Sequence, residues 1–177
     1  MHMRRAGHVV ARPLNCGVSR TQEVFVRTRS TAPTKVAIDH DDYHASHVGR
    51  LADGRQFFAT TPFVPAVGGP GREFVAVYLF DPGGRFLEAR IDDLGPRNAV
   101  DAERAAALFN QRVSELGQLT HGRIEVSPFE VNRHGAKFGL IPRPPEDPSE
   151  DDSWWVEVQP GNYMAFHEPW DSGEYDT

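Results

Sequence analysis

The chain has 177 residues, 39% of them hydrophobic and 10% aromatic, with a formal charge of −6; that is enough apolar material for one core of ordinary domain size. No apolar run approaches the roughly 20 residues that cross a bilayer as a helix. The one cysteine, Cys16, excludes an intrachain disulfide and a multi-cysteine metal centre, and makes a reducing compartment, the cytoplasm, the expectation.

The net charge hides an asymmetry. Residues 1–35 carry seven Lys or Arg against the single acid Glu23, a net +6, while the other 12 basic and 24 acidic residues give 36–177 a net −12. The leader has few apolar residues and no sustained period, so it is read as a disordered basic tail in front of a single α+β domain over 36–177. An Arg-rich, acid-poor leader matches an organellar transit peptide, and a start assigned too early is the alternative. The acidic remainder opposes nucleic-acid binding by counterion release.

Along the chain, residues 36–38 form a short β-branched start. Residues 46–51 and 55–61 flank Ala52-Asp53-Gly54 and predict a tight hairpin. The proline and glycine cluster over 62–71 predicts a loop. Residues 73–80 are apolar on both faces: Phe74, Ala76, Tyr78 and Phe80 point one way, Val75, Val77 and Leu79 the other. This pattern predicts a central strand covered on both sides. Asp81-Pro82-Gly83-Gly84 is turn chemistry, returning into a half-buried strand over 85–92.

The spacing of Ala105, Leu108, Phe109, Val113 and Leu116 predicts one amphipathic helix over about 100–116, capped by Asn98 or Asp101 and stopped at Gly117. Two further strands, over 123–131 with an edge or bulge at Pro128 and over 136–141, flank a turn at 132–135. Residues 142–152 read as an exposed acidic, proline-rich loop. A last hairpin is expected from 154–158 and 163–166. The fold class is therefore α+β: mostly antiparallel β-sheet, about eight or nine strands, with one covering helix.

Two groups of residues could carry function. The stretch DHDDYHASH holds His40, His44 and His47, imidazoles suited to zinc, iron or manganese, although no metal-site spacing of known geometry is present and a solvated polar connection is the preferred reading. Near the C-terminus Trp155, Tyr163 and Trp170 are aromatics with polar tips that suit a partner surface; their structural alternative is core filling and edge covering. No nucleophile elbow or phosphate cradle is found, because the glycines at 68–71 precede a strand rather than a helix.

The segments YHASHVGRLADGRQFF and VYLFDPGGRFLEARI resemble a group of small actinobacterial-type proteins of unassigned function, some of them labelled formate hydrogenlyase regulatory protein. The resemblance spans roughly residues 36–120. It implies a small stand-alone bacterial protein and brings no catalytic residue with it.

Three functional expectations follow. The first is a non-catalytic cytoplasmic binding or regulatory module, inhibitor- or immunity-like, whose acidic surface and late aromatics meet a basic protein partner. The alternative is a metal-dependent enzyme built on His40, His44 and His47. Self-association through an exposed strand edge is the third.

Overall fold

A computed structural model describes residues 31–146, 153–161 and 163–177. Most of the leader read as a disordered tail, residues 1–30, and most of the acidic loop, 147–152, lie outside the described residues. Of the remainder of the leader, Pro33 is buried and Thr34 and Lys35 border a cavity beside Trp170.

The described chain is mostly antiparallel sheet with one α-helix, as the alternation patterns predict. Its elements are β1 (Val36–Ile38), β2 (Val48–Leu51), β3 (Gln56–Thr60), β4 (Phe63–Val64), β5 (Arg72–Phe80), β6 (Phe86–Pro96), a 3-10 turn (Arg97–Ala99) and α1 (Ala102–Ser114). They continue as β7 (Leu119–His121), β8 (Ile124–Val126), β9 (Phe129–Arg133), β10 (Ala136–Arg143), β11 (Trp155–Gln159) and β12 (Ala165–Phe166).

These strands form three sheets rather than the single sheet the element order suggests. In the largest, β5 pairs with β6 along one edge and with β3 and β4 in succession along the other, and β2 and β7 extend the β3 side. A second sheet runs β12-β11-β10-β9, and β1 pairs with β8 alone. Pro128 explains part of the division. It follows β8 and lacks the amide donor a ladder needs, so the chain leaves the β1 pairing there and re-pairs as β9 with β10.

The pattern over 73–80 holds: Phe74, Ala76, Tyr78 and Phe80 enter one core with Phe138, Val156 and Phe166 from the four-stranded sheet and Ile124 from the β1–β8 pair. Val77 and Leu79 enter a second core with Leu51, Phe57, Ala59 and Leu116, against which Phe109 and Val113 of the helix rest. Asp101 caps α1, accepting from the amides of Glu103 and Arg104 at 3.0 and 3.1 Å; Asn98, the other candidate, lies in the 3-10 turn. A 13-residue helix is marginal in isolation, so its position rests on this docking.

Two strands escape the sequence patterns. β4 is two residues between Pro62 and Pro65, inside the stretch read as a loop, and β7 is three residues between the helix stop and Gly122.

One close approach ties the β5–β6 turn to β8. Gly84 has φ +85°, and a side-chain carbon there would stand 2.1 Å from the carbonyl oxygen of Glu125, while the Gly84 carbonyl accepts from the Ser127 amide at 2.8 Å. Gln56, buried in the same seam, donates to the Glu125 carbonyl at 3.2 Å and accepts from its amide at 2.9 Å. Gly84→Ala should therefore destabilise the protein by about 2 kcal/mol or more through backbone strain and displacement of β8. Urea unfolding of the two proteins measures this; equal midpoints would contradict the seam.

Candidate binding cavity

The segment between β1 and β2 is built by one carboxylate. Asp41 Oδ1 accepts from the amides of Tyr43 and Ala45 at 2.7 and 2.9 Å, the local bonding that makes aspartate a turn former rather than a helix former. Ala45 is fully buried and pins the turn to the core. The flanking side chains therefore splay in different directions instead of sharing a helical face.

The three histidines separate accordingly. His44 lies against Tyr43, Tyr163 and Tyr175, with ring centroids 4.2, 6.0 and 6.4 Å away. His40 and His47 instead face His121 of β7, at 5.2 and 5.8 Å. His40 Nε2 also bonds the Ser46 carbonyl at 3.1 Å. The proposed triad of His40, His44 and His47 is thus not one cluster, and among the described residues no group of three or more His, Cys, Asp or Glu is arranged to hold a metal ion.

His121 was not singled out from the sequence. It reaches His47 because β7 pairs with β2, placing it opposite Gly49. Gly49 is itself the clue: a side-chain carbon there would stand 2.1 Å from the Thr120 carbonyl oxygen, and a glycine inside a strand marks a close backbone approach.

His44 and His47 meet in a different sense, by lining one cavity of about 410 Å³ with Tyr43, Thr60, Phe109 and Tyr163. Four stretches of chain build it: the Asp41 turn, the run from the β3 end through Thr61 to Phe63, the segment before β12, and α1, which closes one side through Phe109. The Nδ1 atoms of both imidazoles are buried and have no hydrogen-bond partner. Tyr163 is committed, its hydroxyl sharing a 2.7 Å hydrogen bond with that of Thr60. Tyr43 stands at the rim with 79% of its surface exposed.

Burial holds the His47 pKa below the ordinary histidine value, and the neighbouring His121 and His40 rings push the same way. Its imidazole is therefore neutral at pH 7. Burial pushes the Tyr163 phenol up, against the opposing effect of the Thr60 hydrogen bond, so it too is neutral. His47 and Tyr163 thus line the cavity as uncharged groups.

No family model, no curated protein and no solved structure matches this chain. The site stands on its geometry alone.

The late aromatics occupy three settings. Trp155, half-buried on β11, donates its indole N–H to Glu157 at 3.1 Å. Trp170 packs on the larger core and borders a separate cavity with Lys35 and Glu168. Tyr163 belongs to the histidine cavity, a placement its spacing from the tryptophans does not reveal.

The cavity depends on where α1 sits, and one ion pair orients the docked helix. Arg112 donates twice to Asp92 of β6, at 2.7 Å for each bond, and also reaches Glu115. The Arg112 bonds hold the Asp92 carboxyl below the usual carboxylate range, against the opposing effect of burial. A carboxyl with a depressed folded pKa stabilises the fold at pH above its unfolded value, and that contribution disappears as pH falls through the folded value. Asp92→Asn should cost about 1 kcal/mol at pH 7, with the gap closing in acid. Urea unfolding at both pH values tests this; a gap that persists in acid would show that the pair's charge contributes nothing.

Proposed function

We propose that the protein is a non-catalytic binding module that takes a small, uncharged, hydrogen-bonding ligand into the cavity between His44, His47 and Tyr163. The observation that carries the reading is a single cavity of about 410 Å³ that His44, His47, Thr60 and Tyr163 line together. The volume lies within the range of small-molecule sites, and the imidazoles, hydroxyls and rings that line it suit a hydrogen-bonding ligand.

Binding rather than catalysis is supported by the surroundings of the two imidazoles. Neither buried Nδ1 is engaged by a carboxylate, the contact that orients a catalytic histidine. The Thr60 hydroxyl beside them is bonded to Tyr163. A cytoplasmic setting belongs to the same proposal and rests on the single cysteine; no helix among the described residues is long and apolar enough to cross a membrane. A basic protein partner on the acidic surface has less support, since Trp155, Tyr163 and Trp170 line no common cavity.

A fragment screen of the full chain by saturation-transfer NMR tests the reading. Thr61 is exposed and borders the cavity, so Thr61→Trp should obstruct it and weaken the hits at least tenfold. Trp155→Ala and Trp170→Ala should leave them unchanged. Hits that ignore the Thr61 change, or follow the two tryptophans, would move the site to the aromatic surface.

A further inference from the structure

The walls of the histidine cavity narrow what it can hold. Six of the ten described residues that line it carry a ring: Tyr43, His44, His47, Phe63, Phe109 and Tyr163. None of the ten is a Lys, Arg, Asp or Glu. All six rings keep part of their surface exposed. An apolar ring left partly in water forgoes the free energy that full burial releases, yet Phe63 of β4 and Phe109 of α1 both stop short of burial at this one cavity.

Among these rings none stacks flat on another. Tyr43 meets His44 with 56° between their planes, His44 meets Tyr163 at 50°, and His47 meets Phe109 nearly edge-on at 70°. Offset-stacked and edge-on ring pairs attract beyond the area they bury, so a planar ring entering the cavity gains contacts that a saturated ring of the same size does not. A cation is the other occupant that aromatic walls hold. Against it, no carboxylate is among the described lining residues, and the Phe63 ring already carries the Arg97 guanidinium, 4.3 Å from its centroid. Ser46 and Thr61 add hydroxyls to the lining, partners for one polar substituent on the ring.

We infer that the ligand is a small, uncharged aromatic compound of one or two rings bearing a hydroxyl or ring N–H, against which Tyr43 packs at the cavity rim. The inference rests on the binding reading above and names its ligand class. About 410 Å³ stands near the lower end of small-molecule sites, which suits one or two rings. Tyr43 is held in place through its backbone, whose amide donates to Asp41 at 2.7 Å, while 79% of its surface is exposed. Its ring is therefore at hand to cover a bound ligand.

The full chain titrated with benzyl alcohol, cyclohexylmethanol, benzoate and tetramethylammonium, followed by amide NMR shifts, tests it. The two alcohols match in size and hydroxyl and differ in the ring, so benzyl alcohol should bind at least threefold more tightly. Benzoate and tetramethylammonium should both bind more weakly than benzyl alcohol. Tyr43→Leu should at least halve the benzyl alcohol affinity without moving the thermal unfolding midpoint, and Tyr43→Phe, which keeps the ring, should restore it. Equal binding of the two alcohols would overturn the aromatic class while leaving the cavity standing. Benzoate or tetramethylammonium binding as tightly as benzyl alcohol would overturn the uncharged ligand, and an affinity untouched by Tyr43→Leu would overturn the packing of Tyr43. Failure of all four probes alongside fragment hits sensitive to Thr61→Trp would overturn the aromatic class alone, whereas hits insensitive to it would remove the cavity reading beneath it.

Discussion

The structure depends on β5 being buried on both faces. A strand in that position cannot alternate polar and apolar residues, because whichever face were polar would be sealed from water without partners. Residues 73–80 meet this demand with aromatics toward the sandwich core and aliphatics toward the helix. The division has a physical basis: two sheets stacked about 10 Å apart need large side chains to fill the space between them, and Phe74, Tyr78 and Phe80 supply them. The helix side needs only Val77 and Leu79, because Phe109 comes from the helix itself.

That asymmetry positions the cavity. The helix reaches the sheet through its second half, where Phe109 and Val113 sink toward Val77 and Leu79 and Arg112 grips Asp92. Burying an aromatic side chain contributes about 2–3 kcal/mol, more than the ion pair's roughly 1 kcal/mol, so hydrophobic contact docks the helix and the ion pair sets its orientation. The first half then stands over the strands on alanines. One cavity lies beside those alanines, and the Asp41 turn delivers His44 and His47 to another that shares Thr61 and Phe109 with it.

Much of the scaffold was legible in the sequence because its determinants are local. Two-faced apolarity marked β5, Asp53-Gly54 marked the first hairpin, and Asp101 and Gly117 bracketed the helix. What was not legible depends on contacts between distant segments. β4 is a strand only because β5 runs on past β3 and pairs Phe63 with Glu73, and two residues between prolines carry no alternation of their own. The division into three sheets follows from where the chain turns at Pro128, which local sequence reduces to an edge or a bulge. The site was legible as residue types but not as an arrangement. His40, His44 and His47 stand out in the sequence only as imidazoles suited to a metal, and spacing does not show that His44 and His47 line one cavity while His40 turns to His121. His121 and Thr60 enter through strand pairing and the late segment, which residue spacing does not encode.

Amide hydrogen exchange followed by NMR addresses the doubly covered strand directly. If β5 is the heart of the fold, the amides of residues 74–80 should exchange most slowly, at rates set by global unfolding, and slower than those of the peripheral strands β7 and β12. Exchange of the β5 amides as fast as those peripheral strands would contradict the burial of both its faces and remove the support on which the helix and the cavity rest.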